Sequence, residues 1–300
     1  MHGGVADRSM NRLLPLILVA CVVASPLPAR ASWIFDTEAG IVYETNVGLA
    51  QKARDVKSDS RLATALSTGF AFPLDDRSIA SITGDLTGNG HVELPGLSNV
   101  GIGATTAFRH KFGLGPSAPW VRVFGSGARL EFEDAVRDGW RYRVGTGAGI
   151  RLGGRVDLRV DYFFEEHQAD HGRALVRTVP GDVFDTTAHT YSGRVDFFYN
   201  EVLSLFAGYA LRDGDVVSTT RRNSEIFSAS SALTADRPFG PDFIAYKIDS
   251  IVHIFTFGMS FAIAEKASLN FGYERQIGIG KGSGLTYYND VFRAGVLFSY

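Results

Sequence analysis

From residue 34 to Tyr300 the chain alternates apolar and polar side chains at period two, in runs of about ten to fourteen residues. Long 3.6-residue stripes are absent. Period two sends successive side chains to opposite faces of a strand. In 140–152, Trp140, Tyr142, Val144, Thr146, Ala148, Ile150 and Leu152 share one face, and Arg141, Arg143, Gly145, Gly147, Gly149 and Arg151 the other. In 155–167, Val156, Leu158, Val160, Tyr162 and Phe164 oppose Arg155, Asp157, Arg159, Asp161, Phe163 and Glu165. In 188–199, Tyr191, Val195, Phe197 and Tyr199 oppose Ser192, Arg194, Asp196 and Phe198. No segment beyond residue 31 approaches eighteen consecutive apolar residues, so a membrane-spanning helix is not expected.

The pattern predicts strands at 34–49, 60–72, 78–89, 98–112, 120–132, 140–152, 155–167, 188–199, 202–213, 246–263, 267–279 and 288–300. Short connections at 73–77, 113–119, 153–154, 200–201 and 264–266 alternate with longer ones at 50–59, 90–97, 133–139, 168–187, 214–245 and 280–287. A soluble antiparallel sheet also alternates apolar and polar residues. Isolated charges on a face otherwise rich in glycine and serine suit a water-filled interior better. Trp33, Phe35, Trp120, Trp140, Tyr199, Tyr246 and Tyr300, near strand ends on the apolar face, fit interfacial girdles. The expected fold is therefore all-β: a transmembrane antiparallel up-and-down β-barrel of about twelve strands, with ten and fourteen as alternatives. Closure follows from the solvent, because each unpaired backbone group in hydrocarbon costs several kcal/mol. An even strand count puts both termini on one side, expected to be the periplasm.

Residues 1–31 read as a secretory signal peptide, and 32–300 as the barrel. Arg8 and Arg12 precede the apolar run Leu13 to Ala24, and Ala29-Arg30-Ala31 is an A-x-A cleavage signature. Leu18-Val19-Ala20-Cys21 also resembles a lipoprotein box, in which Cys21 would carry lipid. With simple cleavage no cysteine remains, which excludes disulfides and thiolate metal sites. A formal charge of -2 gives no basic excess, so a nucleic-acid partner is not expected.

Phe292, Ala294, Val296, Phe298 and Tyr300 share one face of the last strand. This resembles the C-terminal strand of bacterial outer-membrane β-barrel proteins of the porin-like superfamily. The resemblance implies residence in the outer membrane, contact with its lipid, and the barrel-assembly machinery as a partner that reads Phe292, Val296, Phe298 and Tyr300. The final residue there is usually Phe, and Tyr300 departs mildly from that. Tyr43-Glu44-Thr45-Asn46-Val47 is similar to a run in the first strand of some proteobacterial barrels, several of which assist surface display or export.

The charged inner face is the leading site. Arg141, Arg143, Arg151, Arg155, Arg159, Arg194 and Arg212 would line it with Asp157, Asp161, Glu165 and Asp196. Rings of basic residues select anions in pores. The competing reading is that these charges pair across strands and fill a narrow barrel. The leading function is thus a narrow diffusion channel for small polar or anionic solutes. The alternatives are a non-conducting structural, adhesion or export-accessory barrel with a filled lumen, and a barrel enzyme acting on lipid or peptide. For catalysis, His189 and Ser192 have the wrong spacing, and His253 and Ser250 fall on opposite faces. Glu165, Glu166, His167, Asp170 and His171 cluster where an omptin-like protease would need acids and a histidine. No catalytic residue, metal ligand or cofactor is assigned. His253 would point at lipid unless it lies near the interface or a bulge turns it inward. Loop 214–245 would constrict the lumen, cap the mouth or stay mobile. The inner glycines Gly101, Gly103, Gly145, Gly147 and Gly149 would relieve crowding.

Overall fold

The computed structural model describes residues 31–300. The expected signal segment up to residue 30, with Cys21, lies outside the described residues. Thirteen strands follow in chain order: β1 (Ser32–Glu44), β2 (Asp59–Pro73), β3 (Ser78–His91), β4 (Asn99–Lys111), β5 (Trp120–Phe132), β6 (Gly139–Leu152), β7 (Val156–Ala169), β8 (Thr186–Phe198), β9 (Leu203–Arg221), β10 (Ala232–Ala235), β11 (Phe243–Ala264), β12 (Ala267–Gly280) and β13 (Thr286–Ser299). Twelve form a closed antiparallel barrel, and β10 lies outside the ring on β11. The seam pairs β1 with β13 from Asp36↔Ser299 to Glu44↔Val291. Closure leaves the ring no edge strand, which settles the strand number at twelve rather than ten or fourteen.

The register sorts the two faces. Outward, Ile41 pairs with Leu62, Leu66 with Leu86, Val144 with Phe164, and Phe271 with Ala294. Ile41 is 62% exposed and Val144 57%. Leaving one such side chain in water forgoes about 1.5–3 kcal/mol, and the band runs round the wall, so hydrocarbon must cover it. Trp33 meets Phe70 edge-on at 5.0 Å, and Trp140 stacks on Tyr142 at 6.2 Å. Two aromatics expected in this band lie elsewhere. Trp120 pairs with Gly149 and faces inward, its indole filling the space the glycine leaves. Tyr246 is buried among Ile226, Leu233, Ile248 and Leu285, beyond the end of the barrel.

One end carries short turns, including Gly153-Gly154, whose φ values of 57° and 74° favour glycine. The other end carries the long connections. There about half of the expected loop 214–245 proves to be strand. The β9–β11 ladder continues from Ser250↔Gly214 to Phe243↔Arg221, whereas β8 leaves β9 at Ala188↔Gly214 and β12 leaves β11 at Ser250↔Gly280. A two-stranded hairpin therefore projects past the rim. Gly214 marks the departure at φ 147°, and a Cβ there would run into the Thr187 carbonyl and lie 2.6 Å from Ala188 Cα. A six-residue helix, α1 (Ser224–Ala229), and β10 complete the hairpin's tip.

Candidate functional site: the lumen and its cap

The inner wall from β5 to β9 carries a ladder of arginines, of which Arg122, Arg143, Arg151 and Arg194 rest on rings and are bonded to carboxylates. Arg143 sits over Phe163 at 4.6 Å and pairs with Glu165. Arg151 sits over Phe198 at 5.1 Å and binds both oxygens of Asp157 at 2.6 and 2.7 Å. Arg194 covers Phe206 at 4.0 Å and meets Asp196 at 2.6 Å. Asp161 takes Arg159 at 2.9 Å and Arg122 at 3.1 Å, with Arg122 over Phe124. Glycines across the ladder leave room for it. A Cβ on Gly145 would lie 2.5 Å from the Tyr162 carbonyl oxygen and 2.7 Å from the Phe124 ring. Of the seven expected arginines, Arg143, Arg151, Arg159 and Arg194 are thus held by carboxylates within the wall. Among the described residues Arg141, Arg155 and Arg212 form no ion pair, although Arg212 donates to the Asp215 carbonyl at 2.7 Å. Arg122, which also bonds Asp161, carries no signal of that pairing in the sequence, because its partner lies two strands away.

Beside the crowded ladder, β2 to β5 present small residues inward, and a cavity of about 270 Å³ opens against them. Ser67, Asp85, Thr105, Ser126, Arg141 and Arg143 line it. Asp85 accepts hydrogen bonds from Ser67 Oγ at 2.6 Å, Thr83 Oγ1 at 3.1 Å and Thr105 Oγ1 at 2.7 Å. It has no ion-pair partner among the described residues, and a lone acid on an alternating strand carries no signal that would single it out.

The projecting hairpin covers the mouth above this cavity. In a ring of twelve, β9 and β11 stand diametrically opposite β3 and β4. Phe239 and Phe243 of the hairpin nonetheless pack on Leu94 and Leu97 of the β3–β4 connection, so the hairpin crosses the whole opening. Every neighbouring connection grips it. Thr219 N donates to the Gly48 carbonyl at 2.7 Å, and Lys57 Nζ to the Phe239 carbonyl at 2.6 Å. The Thr220 hydroxyl bonds buried Asp55 at 2.6 Å. Val183 and Phe184 pack on Ala232 and Ala245, and Leu285 on Tyr246. Fully buried Asp236 takes Arg137 on both oxygens at 2.7 Å and the Thr219 hydroxyl at 2.6 Å. Nearby, burial pushes the Asp134 carboxyl up, and Asp236 adds to the effect against the opposing pull of Arg137.

A solved outer-membrane channel from Pseudomonas putida F1 superposes on this chain with a TM-score of 0.59 at 9% identity, covering 92% of this chain and 97% of that one. The fold is that of an outer-membrane β-barrel. The NanC porin overlaps more loosely, at a TM-score of 0.46 and 12% identity over 88% of this chain and 98% of its own. The autotransporter NalP translocator domain from Neisseria meningitidis overlaps at 0.43 and 10% identity, over 95% of each chain. No family model matches the sequence, and no curated protein matches it.

The barrel gives the acids and histidines expected to cluster near the start of loop 168–187 separate partners. Glu165 turns inward to Arg143, and Glu166 bonds Gln168. His167 Nδ1 bonds the Phe184 carbonyl at 2.7 Å. A hydrogen bond from Arg129 holds Asp170 below the usual carboxylate range. No group of three metal-ligating side chains forms among the described residues. At the short-turn end the Ser78 hydroxyl lies 2.9 Å from both Asp75 Oδ2 and His110 Nδ1. There the carboxylate rests on the hydroxyl rather than on the imidazole, which is the wrong order for a nucleophile relay. His253 stays outward in an unbroken register and is satisfied by the Tyr209 hydroxyl at 2.8 Å. His189 meets Tyr162 in the same way at 3.0 Å. No bulge is needed to turn His253 inward.

Proposed function

We propose that this chain is a narrow outer-membrane diffusion channel for small polar solutes, with its outer mouth occluded by the β9–β11 hairpin. Its termini and short turns face the periplasm, and its long connections face outward. The observation that carries this reading is the polar, charged cavity running against the glycine-rich wall. A barrel built only as a scaffold has no need to keep charged groups around an opening inside it. Four of the seven arginines are offset by carboxylates, so any anion preference is slight and rests on Arg141, Arg155 and Arg212.

The cap supports the second reading, a non-conducting barrel, because its hydrophobic clusters seal one end. One experiment separates the two. In planar bilayers the whole protein is expected to give small, rare current steps. A variant with residues 216–247 replaced by a short turn is expected to give larger, sustained ones. A hairpin-less barrel that folds and stays silent at every voltage rejects the channel reading.

A further inference from the structure

Most charges of the arginine ladder neutralise one another within the wall, but Arg141 and Asp85, which share one cavity, do not. The Arg141 side chain makes no hydrogen bond and no ion pair among the described residues, so its five-donor fork is uncommitted. Asp85 lacks a cation among the described residues and is fixed in orientation by three hydroxyls, which use about three of the roughly four lone-pair sites a carboxylate offers. Both side chains line the same cavity, Asp85 from β3 and Arg141 from β6. A volume of about 270 Å³ equals the share of about nine water molecules, enough for a solute the size of a small amino acid.

We infer that this cavity binds a small amphoteric solute, its carboxylate on the Arg141 fork and its ammonium group on the remaining face of Asp85. A guanidinium fork matches a carboxylate in two parallel hydrogen bonds. The solute thereby completes both inner charges at once, which a simple anion or cation cannot do. The inference rests on the lumen being open to solvent, as the channel reading holds, and not on the protein passing current.

The test uses saturation-transfer NMR on the folded, detergent-solubilised protein. The probes are glycine, 4-aminobutyrate and 6-aminohexanoate, set against acetate, butyrate, hexanoate and butylammonium. One amphoteric length is expected to bind at least about tenfold tighter than its monocarboxylate, since a hydrogen bond to a charged group contributes about 1.5–3 kcal/mol and 1.4 kcal/mol is tenfold. Arg141→Gln should weaken amphoteric and carboxylate probes alike, and Arg141→Lys should fall between it and the parent. Asp85→Asn should weaken only the amphoteric probe. Equal binding of amphoteric and simple probes overturns the inference, as does a preference that survives both Arg141→Gln and Asp85→Asn. Bilayer recordings on the same preparations keep the two readings apart. Current without amphoteric binding removes this site and leaves the channel, and binding without current does the reverse.

Discussion

At the scale of single residues, the lumen is governed by local neutrality. Arg143 faces Glu165 directly across the β6–β7 pair, and Arg151 faces Asp157 in the same way, so each charge meets its counterpart at the shortest distance a sheet allows. Removing one partner exposes the other to the pore. Glu165→Gln leaves the Arg143 guanidinium uncompensated beside the cavity, and the chloride-to-potassium permeability ratio is expected to rise about two- to fivefold, the effect of about 0.4–1 kcal/mol at a partly solvated pair. Reversal potentials in a salt gradient measure it, and an unchanged ratio would show that ions do not pass this wall. Much of the pairing was legible beforehand. Arg159 with Asp161 and Arg194 with Asp196 stand two residues apart on one strand face. Arg122 with Asp161 was not legible, because that contact depends on the barrel's stagger.

The hairpin dominates at the scale of elements, and the sequence described it least well. Period-two alternation fades beyond Gly214 because both faces are covered. Val216, Ser218, Thr219 and Thr220 are all buried, the polar ones satisfied by Leu49, Gly48, Asp55 and Asp236. A strand wetted on one side announces itself by alternating, whereas one buried on both sides reads like a loop. The Arg137–Asp236 pair is the hairpin's most deeply buried ion pair among the described residues, and breaking such a pair by removing one partner costs about 3–5 kcal/mol. Arg137→Ala is therefore expected to raise the frequency of channel openings markedly, as counted in bilayer recordings. Asp134 should act in the opposite sense. Its folded value lies above the ordinary 3.8, so its support for the cap is fully present below that value and is lost as pH rises through the folded value. Above that folded value the ionised group strains the cap. Asp134→Asn is expected to open less often than the parent at pH 7, with the difference vanishing toward about pH 4. Openings that become more frequent in the variant would contradict this.

Taken whole, the molecule is a ring whose first and last strands must find each other. Strand number, parity and the alternation of short and long connections were all legible, because lipid imposes one constraint on every strand alike. The closing seam adds detail that no pattern supplies. Asn289, almost fully buried, accepts from Asn46 N at 3.0 Å and donates to Glu44 at 3.3 Å, while the Asn46 side chain closes a turn with Ala50 and reaches the Tyr288 carbonyl at 2.9 Å. Gly40 sits in that seam, where a Cβ would lie 2.6 Å from the Ala294 carbonyl oxygen. Gly40→Val is expected to cost about 1–3 kcal/mol, read as a lower temperature at which the compact, fast-migrating gel species is lost. An unshifted transition would mean that the seam yields freely.

Every other rung of the wall joins neighbours in the chain, but the rungs between Asp36 and Ser299 join its two extremities. Until the last strand is made, β1 has a partner on one side only. A chain released from its N-terminus therefore cannot zip into lipid strand by strand, and must keep an unsatisfied border sheltered through most of its biogenesis. That border is satisfied only when the seam's rungs form, the last of them from Tyr300 N to the carbonyl of Phe35.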